Sequence, residues 1–105
     1  MNIPSTIKIG GMDYTVEEKE NEVRDKGRSG YSNANNQSIV VDKDMPQQLK
    51  ETTFIHEVLH QIDYVYNIEL SHKQVYMLEA GIYAFIKNNP SILSNEEGNS
   101  NDYIR

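Results

Sequence analysis

At 105 residues, with a hydrophobic fraction of 37% and a formal net charge of −6, the chain has room for one domain with a modest core and for no second lobe. The acidic balance leaves no basic stripe to release phosphate counterions, which argues against nucleic acid as a partner. With no cysteine there is neither a disulfide framework nor a thiolate site, so any metal must be held by His, Asp, Glu or water.

Met1-Asn2-Ile3-Pro4-Ser5 has neither the basic region nor the apolar stretch of a secretory signal. No apolar run approaches the ~20 residues a membrane-spanning helix needs, so a cytoplasmic protein with no membrane association is expected. Residues 6–9 and 12–18 alternate apolar and polar about Gly10-Gly11, a two-residue turn signal, and read as a hairpin with one buried face. Residues 19–30 are polar and read as a loop or a short helical turn. Tyr31-Ser32-Asn33 opens another strand, and Asn35-Asn36 turns into Ser38-Ile39-Val40-Val41-Asp42, a strand by its β-branched content.

A long helix is predicted from about Asp44-Met45-Pro46, with proline at its first position and acids near its positive end. Leu49, Thr53, Ile55, Val58, Leu59, Ile62, Val65 and Tyr66 recur at helical spacing along it. After Asn67-Ile68-Glu69-Leu70, the stretch Ser71-His72-Lys73-Gln74 reads as a capping box. It opens a second helix whose core stripe is Val75, Leu78, Ile82 and Phe85, stopped by Asn89-Pro90. Residues 91–105, rich in Ser, Asn and Glu, read as a flexible tail, which leaves residues 1–90 as one domain. The fold class that follows is α+β, with a small antiparallel or mixed sheet of three to four strands packed on two antiparallel helices.

Inside the first helix stands His56-Glu57-Val58-Leu59-His60, an H-E-x-x-H sequence. Histidines at i and i+4 share one helical face, where both imidazoles can hold one Zn²⁺. Glu57 between them is placed to take a proton from a zinc-bound water. A catalytic zinc normally has three protein ligands, and the candidates after His60 are Asp63, Glu69, His72 and Glu79. Asp63, three residues after His60 on the same helix, has a short side chain poorly suited to complete a tetrahedral set and reads as a solvated residue or as a partner to a ligating histidine. Glu69 lies in the loop, and His72 sits at the exposed start of the second helix. Glu79 borders an apolar stripe, where a carboxylate is costly to bury unless paired or ligated. Short-loop antiparallel packing brings it level with His60. The same placement suits a salt bridge or a solvent-facing carboxylate.

His56, Glu57, His60 and Glu79 resemble the arrangement of the gluzincin metallopeptidases, and the short chain is similar to their minimal versions, the minigluzincins. Residues 53–90 also resemble small metallopeptidase-like proteins of phages and prophages, through His56-Glu57-x-x-His60, Ile62-Asp63-Tyr64, Ile68-x-Leu70-Ser71, Gly81-Ile82-Tyr83 and Asn88-Asn89-Pro90. The resemblance implies zinc held by His56, His60 and Glu79, and a cytoplasmic location in a bacterial or phage-infected cell. It also implies an edge strand beside the cleft, here Ser38–Asp42. A peptide or protein substrate would add along Ile39–Val41, and Glu57 would be the general base of peptide-bond hydrolysis. The larger gluzincins carry an Asp four residues after the ligating Glu, where this chain has Tyr83. No histidine is placed to stabilise an oxyanion, which leaves Tyr76 and Tyr83 as candidates. The chain is expected to be a monomer or a small homo-oligomer. The alternative reading is a zincin-like metal-binding regulatory or interaction protein of a mobile element, with latent activity or none.

Overall fold

The structure, a computed structural model, describes residues 1–20 and 29–92. Most of the polar segment at residues 19–30, and the tail from residue 93 onward, lie outside the described residues. Strands β1 (Thr6–Ile9) and β2 (Met12–Lys19) form the expected hairpin, with Ile9 paired to Met12. Gly10 and Gly11 take φ of 59° and 83°, the left-handed pair that a tight two-residue hairpin turn requires. Ile7, Ile9, Met12, Tyr14 and Val16 fall on one face and pack into the core, as the alternation predicts.

Strand β3 (Gly30–Asn33) runs antiparallel to β4 (Ser38–Asp42), and β4 runs parallel to β2. The sheet order is β1-β2-β4-β3. The expectation that Ser38–Asp42 is the edge strand is therefore corrected. β4 is interior, Ile39 to Asp42 are all buried, and the edge on this side is β3. The unbroken Ile39-Val40-Val41 run is the mark of a strand covered on both faces.

Helix α1 (Gln47–Tyr66) lies across the sheet against β3, β4 and β1. Pro46 stands at its N-cap without a side-chain cap, so the helix starts one residue later than predicted and its first turn carries no acid. Helix α2 (His72–Asn88) opens on the capping box read from the sequence: Ser71 Oγ accepts from Gln74 N at 3.1 Å, and Gln74 Oε1 accepts from Ser71 N at 2.8 Å. A 3-10 turn, Pro90–Ile92, follows, so Ser91 and Ile92 are structured where a tail was expected.

The helices are antiparallel, since the pairs His60–His72, His56–Tyr76 and Glu51–Tyr83 climb one helix as they descend the other. Together the elements form a four-stranded mixed sheet with two helices, the α+β class expected. One apolar cluster (Ile9, Tyr14, Val16, Ile39, Val41, Phe54) fills the sheet–α1 layer, and another (Ile55, Leu59, Val75) fills the α1–α2 seam. The predicted stripe on α2 is rotated. Leu78 and Phe85 are 42% and 53% exposed, while Val75, Ile82, Tyr83 and Ile86 turn inward. The rotation brings Glu79 and Tyr83 to polar partners on α1. Among the described residues no helix is long and apolar enough to cross a membrane.

Candidate metal centre and its cleft

Lying between the sheet and α2, α1 has two working faces, and the H-E-x-x-H spacing serves both. His56 and His60 point toward α2, whereas Glu57 and Gln61 point toward β3 and β2. On the α2 side, His56 Nε2 and His60 Nε2 stand 3.0 Å apart, and the two rings meet edge to face with centroids 4.6 Å apart. Two imidazole nitrogens that each bind zinc at about 2.0–2.1 Å can share one ion at such a separation. Burial holds His60 below the usual imidazole range, with Glu57 raising it and His56 and His72 lowering it again. The neutral form that a metal ligand requires is thereby favoured.

Glu79 meets His56 at Nδ1, with Oε1 at 2.8 Å. That nitrogen is the one not engaged with His60. The carboxylate therefore accepts a hydrogen bond from Nδ1–H and leaves the Nε2 lone pair facing His60, the arrangement that would fix the tautomer and orientation of a histidine holding a metal. Asp63, a backbone carbonyl and Tyr83 are the partners the sequence offers for the second nitrogen of such a histidine, and here it is Glu79 that meets the Nδ1 of His56. Tyr83 is turned elsewhere, its hydroxyl donating to Glu51 at 2.8 Å. His72 has its ring 5.9 Å from that of His60 and stays exposed at the helix start. Among the described residues no three His, Asp or Glu side chains are gathered around a common point. The residues present thus fit a cation held by two imidazoles, one of them braced by a carboxylate.

Of the other ligand candidates, Asp63 uses its carboxylate in the interhelix loop, and Glu69 lies exposed in that loop. Asp63 Oδ1 accepts from the backbone N–H groups of Glu69 at 2.6 Å and Leu70 at 3.2 Å. Asn67 closes α1 in the left-handed region at φ 54°, with its N–H on the Asp63 carbonyl. This loop sets the descent of α2 and hence the level at which Glu79 meets His56.

On the sheet side, Glu57 is buried and its Oε1 accepts from Ser32 Oγ at 2.7 Å. Ser32 Oγ in turn accepts from Gln61 Nε2 at 2.9 Å, and Gln61 Oε1 accepts from Tyr14 Oη at 2.8 Å. None of these three partners was singled out from the sequence. Gln61 carried a signal, standing four residues after Glu57 as His60 stands four after His56. Ser32 and Tyr14 depend on strand pairing, which spacing along the chain does not reveal.

An open cleft of about 320 Å³ lies beside His56 and Glu57, which line it with Tyr76 and Glu79 and with Ser29 and Gly30 at the head of β3. His60 is not part of its lining. At Gly30 the edge strand passes close to the helix. A Cβ there would stand 2.6 Å from Thr53 Cγ2 and 2.7 Å from the Val40 carbonyl oxygen. Comparison with protein-family models, with curated proteins and with solved structures finds no match to this chain.

Proposed function

We propose that the chain is a zinc-dependent metallopeptidase of gluzincin-like design, with His56 and His60 holding the ion and Glu79 bracing the site through His56. The observation that carries this reading is the convergence of the two Nε2 atoms, 3.0 Å apart, beside a buried glutamate that lines an open cleft. Zinc, when bound, supplies Lewis acidity, polarising an acyl oxygen and acidifying water. Glu57 accepts the proton of the attacking water and returns it to the leaving amine. Tyr76, which lines the cleft with its ring 4.9 Å from that of His56, is the group best placed to stabilise negative charge on the acyl oxygen. The peptide adds to the edge of β3, which takes the part first expected of Ile39–Val41.

A second reading, a metal-binding regulatory or interaction protein with no hydrolysis, draws support from the lack of a third side chain at the shared point among the described residues. Two measurements separate the readings. Protein purified without added zinc is expected to carry about one equivalent, and less than about 0.1 equivalents defeats both. A proteome-wide comparison of cleavage by wild type and Glu57→Ala is expected to show peptide termini made by wild type alone, with zinc content unchanged in the variant. Identical terminus profiles leave only the regulatory reading.

A further inference from the structure

The three hydrogen bonds behind Glu57 run in one direction, and chemistry alone fixes that direction. An ionised carboxylate only accepts, so the single hydroxyl proton of Ser32 is committed to Glu57 Oε1. Ser32 Oγ then has only lone pairs left to offer, so it must face the amide nitrogen of Gln61. That choice turns the Gln61 carbonyl to Tyr14, whose hydroxyl must donate. The amide orientation of Gln61 is thus set by the acceptor oxygen of Glu57, two hydrogen bonds away.

Tyr14 is 1% exposed, Gln61 6% and Glu57 8%. A row of buried polar groups contributes little net stability compared with apolar side chains of similar shape, and it becomes costly if any member loses its partner. Packing alone gives no reason for it between a sheet and a helix whose shared layer is otherwise Ile, Val and Phe. The row does have one geometric consequence. It takes Oε1, so the oxygen left to meet water and substrate in the cleft is Oε2.

We propose that Ser32, Gln61 and Tyr14 are positioning residues for Glu57, a one-way relay that pins Oε1 and presents Oε2 to the cleft. The proposal rests on the reading of Glu57 as general base. Ser32 lies on β3, so the strand that aligns a peptide by backbone pairing also carries the hydroxyl that aligns the base.

The test has two arms. The first reads the side-chain amide signals of Gln61 by nitrogen–proton correlation NMR. Glu57→Gln and Ser32→Ala are both expected to move them, since the Ser32 hydroxyl links the two side chains. Ser38→Ala, the same change at an exposed hydroxyl bound to Asn36 on the adjoining strand, is expected to leave them in place. Gln61 signals unmoved by Glu57→Gln and Ser32→Ala overturn the relay.

The second arm uses a quenched fluorescent peptide spanning the bond that wild type cuts fastest in the proteome comparison. Ser32→Ala is expected to lower kcat by about 10- to 100-fold at unchanged KM and unchanged zinc content. Ser32→Thr, which keeps the hydroxyl, is expected to recover most of the loss. A Ser32→Ala protein with wild-type kcat overturns the positioning role. If wild type cuts nothing while the Gln61 signals respond as expected, the hydrolase reading falls and the support of Glu57 by the relay stands.

Discussion

At the scale of single residues, the site is decided by which nitrogen of His56 faces which neighbour. Glu79 on Nδ1 and His60 opposite Nε2 divide the ring between a carboxylate and a prospective ion. A carboxylate in that position makes the imidazole a stronger ligand and holds its plane, an effect typically worth 10–100-fold in metal affinity. Glu79→Gln keeps an acceptor for the Nδ1 proton but removes the charge. Zinc affinity of the variant, measured by competition with a chromophoric chelator, is expected to fall within that range. A loss well beyond it identifies Glu79 as a direct ligand, as the gluzincin resemblance implies, and an unchanged affinity removes Glu79 from the site altogether. His72→Ala measured alongside supplies the scale. If its loss exceeds that of Glu79→Gln, the third position belongs to the His72 side of His60.

At the scale of elements, a close fit is made between β3 and α1 at Gly30. Gly30 lies outside the left-handed backbone region, so its requirement is steric: a methyl group would press on the Val40 carbonyl oxygen, which sheet pairing holds in place. Gly30→Ala is expected to cost about 1–3 kcal/mol in urea unfolding, and an unchanged midpoint removes the steric account of the strand's position. The hairpin, both helices and the capping box were legible because each depends on neighbours a few residues apart. Gly10-Gly11 takes the left-handed turn, and Ser71 and Gln74 close on each other. The edge was misplaced because β-branched content marks a strand without saying what lies beside it, and β3 covers β4 only through pairing across the sheet. The face of α2 was misjudged for a related reason. Leu78 and Phe85 fit an apolar stripe, but Glu79 and Tyr83 find buried or half-buried partners on α1 and turn the helix toward them. Of the candidate site, the two histidines and Glu57 were readable from spacing, whereas the Glu57 support drawn from Ser32 and Tyr14 was not.

At the scale of the whole molecule, one buried carboxylate joins parts that are far apart in the chain. Glu51, 3% exposed on α1, accepts from Tyr83 of α2 at 2.8 Å, from Gln47 at 3.0 Å and from the Met1 ammonium at 3.4 Å. Burial alone would raise its pKa, but the hydrogen bonds from Gln47 and Tyr83 and the Met1 charge more than offset this, and the carboxyl sits below its ordinary value. In the unfolded chain Glu51 reverts to about 4.3. Between its lowered folded value and that figure the unfolded state binds the extra proton, so stability rises with pH across this window. The contribution of Glu51 is therefore complete above about pH 4.3 and drains away as pH falls through the folded value. Glu51→Gln retains an oxygen for the Tyr83 hydroxyl and removes the titration. Urea unfolding of the metal-free proteins is expected to show the variant less stable by about 1–3 kcal/mol near neutrality. The gap should narrow steadily below pH 4.3, while groups common to both proteins cancel in the difference. A gap that stays constant from neutrality to acid would mean that the Glu51 charge is not what ties the N-terminus, α1 and α2 together.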